Sequence, residues 1–475
     1  MTPPLDDAGR ADALERIKAV VGPKGWTDAE AALEAYRKEW RGKFRGATRF
    51  AVAPSTTEEV AQVMAIAHGA RLPVVPLGGN TGLVGGGVTA AEEIVLSTHR
   101  LDRIRGVDPA NDTLTAEAGV ILQRIQEAAA ERDRLFPLSL GAEGTCRIGG
   151  NLSTNAGGTG VLRYGNARDL VLGLEVVLPD GRVWNGLRAL RKDNTGYGLK
   201  HLFIGAEGTL GVITAAVLKL FPRPRQWQTA FCAVPSPQAA VDLLSRAKDG
   251  SGDMVTAFEL IGRQCLEFAV RHVEGADDPL AEGSPWYVLI EFTSSVAEAP
   301  LRDQLEAVLG AAFEAGLVTD AVIAESGPQR DSLWFIREAI VEAQLYEGGS
   351  IKHDVSVPVS AVPAFLDQAL ATVERLAPGC RPCPFGHVGD GNIHFNVSQP
   401  VDADGAAFLT GWEAMAEAVH DVAVDLGGSI SAEHGIGLLK RDEMARRKDP
   451  VEMDLMRAVK RAIDPDDLMN PGKVV

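Results

Sequence analysis

Five of the nine histidines lie between positions 353 and 434, and two of them flank a tight turn. The segment reads Pro384-Phe385-Gly386-His387-Val388-Gly389-Asp390-Gly391-Asn392-Ile393-His394-Phe395-Asn396-Val397. Asp-Gly between apolar alternations predicts a two-residue type I′ hairpin, because both central positions of that turn need positive φ. Such a turn pairs Gly389 with Asn392, Val388 with Ile393 and His387 with His394. Opposed residues share a face with Cβ atoms about 5 Å apart, so the two imidazoles can share one metal ion, and Asn396 shares their face. Half-buried strand histidines with no ligand are the plain alternative. Further on, Ser429-Ile430-Ser431-Ala432-Glu433-His434-Gly435-Ile436-Gly437 sets a carboxylate beside a histidine among small residues. That pairing suits a metal ligand next to a general base. Two histidines and one carboxylate leave coordination positions open for a substrate.

A second chemistry lies in the 51 glycines, which are clustered. Pro76, Leu77, Gly78, Gly79, Asn80, Thr81, Gly82 and Leu83 form a strand end running into a glycine loop, with Gly85, Gly86 and Gly87 close behind. Loops of this kind offer backbone N–H groups to an anion. The spacing is not G-x-G-x-x-G, and the acid about 20 residues on that a dinucleotide fold uses is missing. Nor is there a Gly-Lys-Ser/Thr for a P-loop. A turn needing positive φ accounts for any one cluster. The next block interleaves Gly141, Thr145, Gly149, Gly150, Asn151, Ser153, Thr154, Asn155, Gly157 and Gly158, a lining able to bond a phosphate or a flat heterocycle. Tyr164-Gly165 follows, and then a third block with Glu207, Gly208 and Ile213. Three blocks within one α/β region exceed what turns require.

The elements that must carry these residues follow from patterning. A length of 475 residues suggests about three domains or two large ones. Residues 1–44 predict a helical segment with a Thr27/Glu30 capping box. Residues 45–222 alternate strands at 50–53, 72–76, 94–97, 113–118, 171–178 and 212–218 with helices, one of them capped by Thr56 and Glu59. The break Phe221-Pro222-Arg223-Pro224 closes that region. Residues 223–410 mix a strand at 286–292 with helices at 297–315, 332–346 and 362–376, and residues 411–475 are mainly helical. The fold class expected is α+β. A net charge of −17 argues against a general binder of nucleic acid or anionic membranes, and no apolar run reaches the ~18 residues of a membrane span. Residues 1–26 contain no secretory apolar core. Five cysteines, odd in number and sparse, fit a reducing compartment, so a cytoplasmic protein is expected. Cys380-x-x-Cys383 has no second pair to complete a zinc knuckle.

In order, P-L-G-G-N-T-G-L, G-G-N-L-S-T-N-A-G-G, Y-G and G-A-E-G-T-L-G-V-I-T resemble the FAD-binding domain of the vanillyl-alcohol oxidase and p-cresol methylhydroxylase superfamily. The resemblance implies a two-part FAD-binding domain, an α+β substrate (cap) domain and a helical C-terminal segment. It places the pyrophosphate on Pro76 to Leu83, the isoalloxazine side on Gly149 to Gly158, and the adenosine end at Glu207, Gly208 and Ile213. Relatives that bind flavin covalently carry a histidine in the first loop; Asn80 and Thr81 stand there, so non-covalent FAD is expected. G-H-x-G-D-G-N-x-H-x-N with S-x-S-A-E-H-G-x-G, and the ending Asn470-Pro471-Gly472-Lys473, resemble the FAD-linked D-2-hydroxyacid dehydrogenases.

That second resemblance assigns His387, His394 and Glu433 to a divalent metal, zinc first with manganese or iron as alternatives. It gives Asn396 to the substrate and makes His434 the general base, also in reach of substrate. Arg337, beside a buried helix face, and Lys352, on an expected strand, would bind the substrate carboxylate. Relatives preferring 2-hydroxyglutarate often carry a hydroxyl residue four after that arginine, where Val341 stands, so D-2-hydroxyglutarate and D-lactate both remain candidates. The implied reaction passes the C2 hydride to flavin N5 and yields a 2-oxo acid. Its electrons then go to an acceptor protein or a quinone, and a homodimer is the family's expectation. The competing readings are an oxidase releasing peroxide, a metal-dependent phosphohydrolase or nucleotidyl transferase, and a non-catalytic flavin binder.

Overall fold

The computed structural model describes residues 7–90 and 93–475; residues 1–6 of the expected N-terminal helical segment, and residues 91 and 92, lie outside the described residues. The chain divides into two units. One holds the residues up to Gly158, Gly165–Arg223 and Glu433–Val475, and the other holds Thr159–Tyr164 and Pro224–Ala432. Residues 411–475, expected as one segment, therefore belong to both. The helix Trp412–Asp425 lies in the second unit, whereas Arg441–Arg447 and Pro450–Ile463 lie in the first.

The first unit contains two principal sheets. In the smaller, Trp26–Thr27, Ala51–Val52, Ile94–Ser97 and Val74–Leu77 lie in that order, the last three parallel. Val74, Val75, Ile94 and Val95 are β-branched and fully buried, as strands covered on both faces require. Asp7–Val21 and Thr57–Gly69 supply part of that cover. The Thr56 hydroxyl caps the second helix by accepting from the Glu59 amide at 3.1 Å. The Thr27/Glu30 box does not form. Thr27 is drawn into the edge pairing with Ala51, and the helix Glu30–Arg37 starts after Ala29 without a side-chain cap. The larger sheet is antiparallel, in the order Ile104–Asp108, Thr113–Glu117, Val212–Lys219, Val171–Val177, Val183–Gly186. The C-terminal return closes onto the edge of the first sheet, Val74 donating to Leu468 and Asn470 to Val74, both at 2.8 Å.

The second unit is one antiparallel sheet with helices on both faces. Its order is Asp320–Ile323, Gln226–Val234, Trp286–Ser294, Val255–Gly262, Arg381–His387, Asn392–Ser398, Ser350–Ile351, with Asp354–Ser356 also paired to Asn392–Ser398. Alternation along the strands separates two cores. Ala230, Cys232, Phe258 and Leu260 face the helices Pro237–Ser251, Leu301–Glu314, Val362–Leu376 and Trp412–Asp425. Phe231, Ala233, Ile261 and Tyr287 face Arg263–His272 and Gly327–Ala343. Two covered faces make the strands nearly continuous in apolar residues, so Gln226–Val234 and Val255–Gly262 show no alternating signal in the sequence. Among the described residues no helix is long and apolar enough to cross a membrane.

Candidate active site

The glycine blocks of the first unit meet. A Cβ on Gly79 would lie 2.6 Å from the Thr145 carbonyl and 2.9 Å from Cys146 Cα, so only glycine lets the first loop lie against the second block. A Cβ on Gly78 would lie 3.3 Å from Gly150 Cα, and one on Gly208 would lie 3.1 Å from the Pro76 ring. The third block is tied to the second by backbone bonds, Gly205 to Leu152 and Glu207 to Ser153. Asn80 bonds the carbonyls of Ala35 and Lys38, at 3.2 and 2.9 Å. The amides of residues 79–83 donate to no acceptor among the described residues. A row of such donors on an uncharged loop fits a pyrophosphate. Ile213 is buried on the central strand Val212–Lys219, and Tyr164 belongs to a short helix counted with the second unit.

The C-terminal return brings its own motif into the first unit. Gly158 N donates to Glu433 Oε1 at 2.7 Å. The Glu207 carboxylate accepts from Ile436 N at 2.7 Å and Gly437 N at 2.9 Å. Gly435 has φ +82°, and a Cβ there would meet Glu207 at 2.8 Å. Glu207 is thus a bracket on the loop that carries Glu433 and His434, a role invisible in its sequence context. Burial raises its pKa even though both amides favour the charged form. Asn470 completes the bracket by donating to the Glu207 carbonyl at 2.7 Å and to Gly86 at 3.0 Å.

His387 and His394 lie on the face covered by Gly327–Ala343, but not in the expected register. His394 pairs with Phe385 and Asn396 with Cys383, while His387 pairs with Glu259 of the neighbouring strand. The connection is longer than two residues: Asp390 donates to the His387 carbonyl at 3.1 Å, and the Asp390 carboxylate receives the Asn392 amide. Pairing to Asp354–Ser356 on the other side holds Asn392–Ser398 in place. A slip of two residues leaves every side chain on its face, because the strand period is two. The imidazoles are therefore diagonal neighbours, with centroids 5.7 Å apart and planes at 78°.

A carboxylate is hydrogen-bonded to His387 at Nδ1, and another lies farther from His394 Nδ1. Glu259 Oε1 lies 2.6 Å from His387 Nδ1, and Asp354 Oδ1 lies 3.7 Å from His394 Nδ1. A carboxylate hydrogen-bonded at Nδ1, as Glu259 is to His387, orients a metal-binding imidazole and leaves Nε2 with the lone pair. The donor set thus fits a divalent cation. Asn396 is buried and bonds Gln344 at the end of the helix. Lys352 does not lie within a strand; it occupies the break between Ser350–Ile351 and Asp354–Ser356.

Arg337 shows its chemistry by contrast with Arg330, two turns earlier on the same helix. Arg330 gives Glu291 two bonds, through Nε at 2.6 Å and a terminal nitrogen at 2.9 Å, and Trp334 and Thr229 take up more of that carboxylate. Arg337 gives Glu259 only Nε, at 2.8 Å, and stacks 4.7 Å from the Phe385 ring centroid. Its terminal nitrogens make no hydrogen bond among the described residues, although the side chain is buried. Such a half-used fork suits an anionic ligand. Burial alone would raise the Glu259 pKa, but His387 and Arg337 hold it down to about 2. Sequence reading passed over Glu259; the available signal was one acid inside the apolar run Val255–Gly262.

The glycine-rich two-sheet unit and the sheet bearing His387 and His394 both match families of flavin-dependent oxidoreductases. Residues 48–186 match the family model described as FAD binding domain, and residues 223–474 match FAD linked oxidases, C-terminal domain. A protein of Oryza sativa subsp. indica, described as a probable mitochondrial D-2-hydroxyglutarate dehydrogenase, is 38% identical over 98% of this chain and 82% of its own length. A D-2-hydroxyglutarate dehydrogenase of Xanthomonas citri pv. viticola is 38% identical over 94% of this chain and 93% of its own. The solved structure of p-cresol methylhydroxylase with substrate bound superposes with a TM-score of 0.77 at 18% identity, covering 99% of this chain and 97% of that one. The chain belongs to the FAD-linked D-2-hydroxyacid dehydrogenases and is an FAD-dependent enzyme; its fold is that of p-cresol methylhydroxylase. Membership in that family displaces the readings as a phosphohydrolase, a nucleotidyl transferase or a non-catalytic flavin binder.

Proposed function

We propose that the enzyme oxidises a D-2-hydroxyacid to its 2-oxo acid, with D-2-hydroxyglutarate the first candidate and D-lactate the second. The observation that carries this reading is Arg337, a buried guanidinium with unengaged terminal nitrogens on the histidine face of its sheet. The names of the relatives support the five-carbon diacid. Val341, apolar and about half exposed one turn after Arg337, lacks the hydroxyl expected for it.

When bound, non-covalent FAD supplies the hydride acceptor, and a divalent cation on His387, His394 and Glu433 supplies Lewis acidity toward the substrate oxygens. Zinc is the first candidate for that cation, then manganese or iron. His434 takes the proton of the 2-hydroxyl as general base. Arg337 and Lys352 hold the carboxylate so that C2 is presented in one orientation, and Asn396 supplies a further polar contact. Electrons leave to an acceptor protein or a quinone, and the functional unit is a homodimer. Five unpaired, buried cysteines support a reducing cytoplasm as the address.

A panel of D-2-hydroxyacids tested by artificial-dye reduction, on chelator-treated and metal-reconstituted enzyme, decides the substrate. Turnover of D-2-hydroxyglutarate or D-lactate that returns only with added cation is the expected result. Equal turnover of L-isomers, or full activity without metal, overturns the reading. Stoichiometric peroxide in air would make the enzyme an oxidase instead.

A further inference from the structure

We infer that Glu259 is the positioning residue that fixes the His387 ring and the Arg337 guanidinium in one relation to each other. The inference rests on the reading above, in which His387 binds a cation and Arg337 a substrate carboxylate. Glu259 is 1% exposed and lies within Val255–Gly262. Its two oxygens are divided between the partners: Oε1 to His387 Nδ1 at 2.6 Å, Oε2 to Arg337 Nε at 2.8 Å. His387 is its direct cross-strand neighbour, and Arg337 reaches it from the covering helix.

An ionised carboxylate only accepts hydrogen bonds. His387 Nδ1 must therefore carry the proton, and Nε2 keeps the lone pair that a cation needs. On the other side, engaging Nε alone fixes one edge of the guanidinium, while Phe385 fixes its plane from 4.7 Å. The terminal pair then points away from the carboxylate in a set direction. A neutral amide in its place could accept from Arg337 Nε only by turning its N–H toward His387 Nδ1, which would move the ring proton to Nε2 and remove the lone pair a cation needs. Binding of the cation and binding of the substrate carboxylate are thereby tied to one side chain. Glu291 supplies the comparison, because it holds the same helix through Arg330 and touches neither histidine.

The test uses the FAD-loaded, chelator-treated enzyme, titrated with Zn²⁺ or Mn²⁺ alone and then assayed with the preferred D-2-hydroxyacid. Glu259→Gln is expected to lower cation affinity and raise KM, each by roughly 10 to 100-fold, with kcat at saturation of both changed less. Glu291→Gln is expected to lower the melting temperature and leave cation affinity and KM at their wild-type values. Wild-type affinity and KM in Glu259→Gln, or the same losses in Glu291→Gln, would overturn the inference. If Glu259→Gln does not fold, Glu259→Asp is read by the same two quantities, and wild-type values in both again overturn it. A wild-type enzyme that neither binds a cation nor oxidises any D-2-hydroxyacid defeats the underlying reading and this inference together. A wild type that does both, beside an unchanged variant, defeats the inference alone.

Discussion

Glu207 in the first unit and Glu259 in the second are both buried carboxylates with both oxygens engaged, yet they are perturbed in opposite directions. Burial raises Glu207, whose acceptors meet two neutral backbone amides, at 2.7 and 2.9 Å. Burial also opposes the charge on Glu259, but an arginine and a histidine hold it at about 2. The difference follows the material of the two units. Around Glu207 the glycine-rich unit answers the carboxylate mainly with peptide N–H groups, the Lys440 charge contributing less. The histidine sheet builds from side chains whose full charges and lone pairs balance one another. A peptide-built site is damaged by added atoms, and a side-chain-built site by removed ones.

The strongest way to break this comparison is to remove the proposed cation. Chelation, or His394→Ala, is expected to bring dye-coupled turnover to background while the ~450 nm flavin bands persist; loss of both together would mean the units are not separable in this way. Next comes His434, a side chain carried by the peptide-built unit. His434→Ala should lower kcat roughly 10² to 10⁴-fold, with FAD and cation retained, as loss of a general base does. Smaller, and opposite in kind, is Gly79→Ala. Its Cβ would meet backbone atoms at 2.6 and 2.9 Å, and overpacking costs on the order of 1–3 kcal/mol. FAD affinity, followed by fluorescence on dilution, should fall by about one to two decades, and cation binding should be unchanged.

The smallest effect concerns stability alone. Glu175 is buried and accepts from Arg105, Thr57 and Thr214. Burial pushes its pKa up, but these three bonds and the Arg105 charge prevail and lower it below 4.5. A depressed carboxyl contributes stability in full above about pH 4.5, and that contribution is lost as pH falls through the folded-state value. Glu175→Gln should therefore cost about 2 kcal/mol at pH 7, and the difference in denaturant midpoint from wild type should narrow as pH falls below 4.5. Turnover at saturating FAD should not change.

Elements with a local cause were legible. The helix Thr57–Gly69 with its Thr56 cap, the strand Ile94–Ser97 and the helix Val362–Leu376 all follow from patterns a few residues long. The strands Gln226–Val234 and Val255–Gly262 were not legible, because cover on both faces removes the alternation that marks a strand. The hairpin was half legible. Asp390-Gly391 marked a turn, but the register belongs to the pairing of Asn392–Ser398 with Asp354–Ser356, which lies 36 or more residues earlier. Thr27 failed as a cap for a similar reason, being taken up in a strand pair with Ala51.

By itself, the sequence determined the residue types available for chemistry: glycine blocks with unburdened amides, a histidine pair two-fold in phase with the strand, and a carboxylate-histidine dipeptide. Those depend only on backbone freedom, strand period and side-chain chemistry, all local quantities. Tertiary structure alone decided which carboxylates answer them. Glu207 stands 229 residues from the Ile436 amide it accepts, and Glu259 stands 128 residues from His387 and 78 from Arg337. Partners that distant are chosen by sheet order and helix cover, and no spacing in the chain encodes them.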